Sequence, residues 1–125
     1  MRDLKTVGAA LGLVLVTATP GWAICERADG VISTLACLDQ EYAVADANLN
    51  AAWRRVIAEH PSGGDRAAHT QDIRVSQRAW IAFRDAECEA QAKVGIPKYW
   101  QVNKMWCLYE MTKARTAMLK EVYID

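Results

Sequence analysis

The sequence predicts an all-α fold: a small antiparallel three-helix bundle stapled at one pole by two disulfides. Three observations carry this expectation. Apolar residues recur at steps of three and four through three long segments, which Gly- and Pro-bearing stretches separate. No stretch alternates apolar and polar residues for long enough to make a strand. The 4 cysteines fall where the ends of those segments would gather.

The chain opens on a leader. Arg2 and Lys5 precede an apolar run from Val7 to Ala18, which has the length of a signal-peptide core and is too short for a stable membrane span. Gly21-Trp22-Ala23 offers small residues at a cleavage site, so residues 1–23 read as a cleaved signal peptide and 24–125 as a single mature domain. Ile24 directly before Cys25 is too bulky for a lipoprotein signal, which makes Cys25 an ordinary disulfide cysteine and leaves no membrane anchor. The expected location is the periplasm or the exterior of a bacterial cell.

In the first helical segment Leu38, Tyr42, Ala45, Leu49, Ala52 and Val56 form one face. Ser33 is its candidate N-cap, and Pro61 with Ser62-Gly63-Gly64 ends it. The second begins near Asp65, a candidate cap, carries Ile73, Trp80 and Phe83 on its apolar stripe, and stops at Gly95 and Pro97. The third runs from about Asn103 to Tyr123, with Leu108, Met111, Met118 and Val122 at helical spacing. Helices of this size are roughly 30 to 40 Å long, and short links make neighbours antiparallel.

An even cysteine count in an exported chain implies disulfides. Up-down-up order brings Cys37, Cys88 and Cys107 to one pole, and Cys25 can fold back to it. Cys25–Cys37 with Cys88–Cys107 is favoured because each pair is nearest in sequence; Cys37–Cys88 with Cys25–Cys107 is also reachable. Each local loop would contribute about 3 kcal/mol. No C-x-x-C pair supports a metal site, and no cofactor is implied.

The charge is balanced, with 15 basic and 15 acidic residues over the whole chain. Removing the leader shifts the balance only slightly toward the acidic side. Such a chain has no global attraction to nucleic acid or to anionic membrane. Catalysis is not indicated either. His60 and His69 lie in or near the first turn, no serine sits in a nucleophile motif, and oxidised cysteines have no thiolate.

Three stretches, "CLDQEYAVADANLNAAW", "SQRAWIAFRDAEC" and "CLYEMTKARTAML", carry a pattern. It comprises an early cysteine pair and Leu49-Asn50 stepping to Trp53. Gln77, Trp80, Arg84, Asp85 and Cys88 follow, then Cys107-Leu108 with Arg115 eight residues after that cysteine. Over nearly the whole mature chain this resembles the LprI-like lysozyme-inhibitor domain family. The resemblance implies an exported helical protein that binds and inhibits lysozyme.

Two groups of residues are candidates for function. Gln77, Trp80 and Arg84 share a helix face; with Asp46 and Arg115 they form a candidate polar network that fixes helix register, while Leu49, Trp53 and Trp80 belong to the core. Asp39 and Asp46 are the acids placed to meet Arg84 or Arg115. The second group lies between Cys88 and Cys107, a stretch that is basic and aromatic and is read as a loop closed at both ends. Tethering preorganises it, and Lys98, Tyr99, Trp100 and Lys104 are the expected partner contacts. Occlusion of a lysozyme active-site cleft is the leading reading. A periplasmic protein-interaction or envelope-stress module acting through a helix face is the alternative.

Overall fold

A computed structural model of the chain describes residues 24–61, 63–64 and 67–125. The expected signal peptide and the Asp65 cap lie outside the described residues. Three helices are present: α1 Gly30–Glu59, α2 Ala67–Ala92 and α3 Trp100–Tyr123, with a 3-10 turn at Pro97–Tyr99 leading into α3. There is no strand among the described residues, and no helix among them is long and apolar enough to cross a membrane.

The helices run up, down and up. Leu38 of α1 packs with Met105 of α3 in one apolar cluster, and Val56 packs with Leu119 in another, so α1 and α3 are parallel. Ile73 joins the Leu119 cluster while Cys88 bonds to Cys107, so α2 opposes both. The extended helix pairings are α1 with α3 and α2 with α3. The last helix is therefore the middle one, covered on two sides.

That position explains where the apolar patterns hold and where they fail. On α1 one face meets α3, and Leu38, Ala45, Leu49, Ala52 and Val56 are buried as their spacing predicts, with Tyr42 half-buried. On α3 two faces are covered, and Met105, Tyr109, Thr112, Thr116 and Leu119 are buried while Val122 is exposed. The expected Val122 stripe position is thus corrected. On α2 the inner positions are largely polar, with Thr70, Gln77 and Arg84 buried beside Ile73, Cys88 and Ala92. Phe83, expected on the inner stripe, is 58% exposed and points away from the core.

The core is divided along its length. The apolar cluster at the cysteine pole holds Cys25, Leu38 and Met105, with Leu35, Tyr42, Val102, Trp106 and Leu108 packed on it. The far cluster holds Leu49, Val56, Ile73 and Leu119, with Trp53, Trp80 and Tyr123 packed on it. Between them along α3 lie Thr112, Arg115 and Thr116, all buried. Such a polar layer is sustained only by internal hydrogen bonds.

Both favoured disulfides are formed: Cys25–Cys37 and Cys88–Cys107, with Cα separations of 5.9 and 5.4 Å. The first folds the turn at 24–29 back onto α1, where Ala28 N–H donates to the Cys25 carbonyl. Helix α1 starts at Gly30, three residues before the expected Ser33 cap. Gly30 has φ +81°, a left-handed conformation that glycine adopts without strain, so the chain turns into the helix there and Ser33 falls inside the first turn.

Candidate functional site

The candidate site is the tip at the cysteine pole. Its shape follows from the link between α2 and α3. Lys93 and Val94 donate to the carbonyls of Ala90 and Gln91, winding down the end of α2. Gly95, at φ +83°, reverses the chain. Pro97 then opens the 3-10 turn, and Tyr99 N–H donates to the Ile96 carbonyl at 2.9 Å. Asn103 on the first turn of α3 reaches back and donates to the carbonyls of Val94 at 3.0 Å and Ala92 at 3.4 Å. The Ala92 carbonyl, at the end of α2, would otherwise have no partner within the helix.

The stretch from Cys88 to Cys107 is therefore not a loop. The end of α2 and the start of α3 occupy most of it, and only the link at 93–96 and the turn at Pro97–Tyr99 separate them. The disulfide staples two helices just below their connection. Its sulfurs are buried beside Met111, whose Sδ lies 3.7 Å from each.

Lys98, Tyr99 and Trp100 come together at the exposed end. Tyr99 is 41% and Trp100 37% exposed. The Lys98 ammonium stands 5.2 Å from the Tyr99 ring centroid and has no carboxylate partner among the described residues. Trp100 Nε1 donates to the Gly95 carbonyl at 3.4 Å, which steadies the indole. Ile32, Val94 and Ile96 are exposed at the same pole. A groove of about 300 Å³ lies between the start of α1 and the tip, lined by Gly30, Val31, Thr34, Lys98, Tyr99 and Val102.

Lys104 is placed differently. Its ammonium pairs with the Glu89 carboxylate of α2 at 2.6 Å. That bond, with the attraction of the Lys104 charge, holds Glu89 below the ordinary carboxylate range; a small loss of hydration opposes it and Lys93 adds to it. Lys104 thus acts as a clamp between two helices, while Lys98 carries an uncompensated charge at the tip.

The polar layer forms a second cluster. Arg115 Nε donates to Gln77 Oε1 at 2.9 Å, joining α3 to α2. Arg84 takes its acid from the neighbouring Asp85, with Nη2 2.9 Å from the carboxylate, and Nη1 donates to the Thr112 hydroxyl at 3.3 Å. Trp80 lies beside both guanidinium groups, 5.2 Å from Arg84 and 5.6 Å from Arg115. Asp46 and Asp39 do not enter this layer: Asp46 accepts from Asn50 on its own helix, and Asp39 is exposed. Burial raises the Tyr42 phenol above its ordinary value; Arg84 opposes the shift while Asp46 and Asp85 add to it.

A family model described as Lysozyme inhibitor LprI matches residues 25–119. The chain belongs to this family. The match takes in both disulfides, the tip and the polar layer. The chain is also similar to an uncharacterized protein of Rhizobium meliloti (strain 1021), R02472, at 33% identity over 135 residues, covering 95% of this chain and 96% of that one. A shorter likeness joins it to the uncharacterized protein YecT of Escherichia coli (strain K12), 44% identical over 59 residues, 42% of this chain and 36% of that one. No solved structure matches.

Sequence reasoning did not find Glu89 or Asn103. Each acts across the helix–helix link, on partners 15 and 9 to 11 positions away, and neither lies within a periodic pattern that would single it out.

Proposed function

We propose that this LprI-family protein is an exported lysozyme inhibitor that acts by inserting its Lys98–Tyr99–Trp100 tip into the lysozyme active-site cleft. The observation that carries the reading is an exposed ammonium over the exposed Tyr99 ring, with the exposed Trp100 next in the chain, mounted on helix ends that a buried disulfide ties together. Glycan cleavage by lysozyme uses a pair of carboxylates in a cleft. Lys98 has a free charge to set against them, and Tyr99 and Trp100 supply the large rigid contacts typical of binding hot spots. The tip is ordered before it binds, so little conformational freedom is lost on association. Lys104, committed to Glu89, supports the tip from below.

The test is lysis of a bacterial cell-wall suspension by lysozyme, with the oxidised protein titrated in. Stoichiometric loss of lysis is expected. Lys98→Ala combined with Trp100→Ala should abolish inhibition while the helical circular dichroism stays unchanged. A double variant of full potency would refute insertion of the tip.

One observation favours the second reading, a protein-interaction module of the cell envelope. Val75 and Phe83, two turns apart on the outer face of α2, are both half exposed or more. Capture of an envelope protein that Phe83→Ala prevents, with no effect on lysozyme of any type, would select this reading.

A further inference from the structure

Arg84 and Arg115 are both buried in the layer that divides the core, yet their charges are met differently. Arg84 has the Asp85 carboxylate at 2.9 Å. Arg115, only 6% exposed, has no carboxylate within ion-pair distance among the described residues. Its acceptors are the Gln77 amide oxygen at 2.9 Å, the Ser76 hydroxyl at 3.4 Å and the Met118 thioether at 3.8 Å. Only the first is a short bond to a good acceptor; the thioether is a weak one. Burial of an ionised group without an opposite charge is costly. The Trp80 ring attracts the guanidinium but does not neutralise it.

Beside Arg115 is a cleft of about 240 Å³, lined by Trp80, Met111, Ala114, Arg115 and Met118. Its walls are apolar except for that one cation. Sites for drug-sized ligands start at roughly 300 Å³, so this cleft suits a smaller group. We infer that it binds a small organic carboxylate. The apolar body lies against Trp80, Met111, Ala114 and Met118, and the carboxylate accepts from the two Nη groups of Arg115, which have only long or weak acceptors in the free protein. A guanidinium fork matches a carboxylate with two parallel hydrogen bonds. Two sources share this chemistry, the C-terminal carboxylate of a peptide and a free short-chain fatty acid. The cleft lies about 22 Å along α3 from Trp100, so it is a site separate from the tip.

The test is titration calorimetry of the oxidised protein with four probes: hexanoate, hexanamide, acetyl-Ala-Ala with a free C-terminus, and the same peptide as its amide. One carboxylate should bind saturably at one site, and its amide should bind about tenfold more weakly or worse. Which carboxylate binds identifies the source. Ala114 is exposed and lines the cleft. Ala114→Trp should fill it, abolish binding and leave both the circular dichroism and the tip intact. No binding by either carboxylate, equal binding by an amide, or undiminished binding to a folded Ala114→Trp protein would overturn the assignment.

Discussion

Replacing Cys88 and Cys107 together by alanine tests how the tip is held. The two residues are 19 positions apart, and closing a loop of that size removes about 3 kcal/mol worth of freedom from the unfolded chain. A packing term adds to it. Cys88 is fully buried, and Met111 Sδ rests 3.7 Å from each sulfur, so losing both sulfurs leaves a small void that costs about 1 kcal/mol more. The sum, about 4 kcal/mol, is a large share of the stability of a domain this size and corresponds to a fall in melting temperature on the order of 15–30 °C. Urea unfolding followed by circular dichroism measures it. Because the cross-link acts mainly on the unfolded chain, its removal should also steepen the dependence on urea. The control is Cys25→Ala with Cys37→Ala. That bond closes a somewhat shorter loop, 12 positions apart, and fastens the turn before α1 without joining two helices, so its loss should cost less. A Cys88/Cys107 variant that loses under about 1 kcal/mol, with unchanged urea dependence, would refute the argument.

Two further predictions concern the polar groups. Arg115→Met strands the buried Gln77 amide, and Gln77→Leu strands a buried cation. Each single change should destabilise by about 1–3 kcal/mol, and the double variant should recover much of that loss in a denaturation cycle; strict additivity would show that the two residues are not coupled. For the clamp, Lys104→Met should raise the Glu89 titration toward its ordinary range, read from the carboxyl carbon by NMR. The sign follows from a carboxylate whose folded value is lowered. The pair's stabilisation is present above the unfolded pKa and is lost as pH falls through the lower folded one. An unmoved Glu89 titration in the variant would remove Lys104 as the cause.

How much the sequence reveals differs from helix to helix. α1 has one covered face, so Leu38, Ala45, Leu49, Ala52 and Val56 announce it by spacing alone. The disulfide pairing is the one that proximity along the chain favours, although the sequence left Cys37–Cys88 with Cys25–Cys107 reachable. α3 is covered on two sides, so its buried positions do not form a single stripe, and Val122 fits the period while standing in solvent. α2 turns Thr70, Gln77 and Arg84 inward and Phe83 outward, which an apolar pattern reads in reverse. At the tip, composition singles out Lys98, Tyr99, Trp100 and Lys104 together as candidate contacts, without showing which are exposed or distinguishing Lys104 from Lys98. What separates them is Glu89, which comes within reach only when α2 and α3 are laid side by side.

The central place of α3 also bears on when the fold can form. A ribosome makes α1 and α2 first, and neither has an extended partner in the other. Their buried faces, from Leu38 to Val56 and from Ile73 to Cys88, await the same helix, Trp100–Tyr123, at the far end of the chain. Isolated helices of this kind are marginal in water without a packed face. Until α3 is made, the buried faces of α1 and α2 therefore have no extended partner to close around.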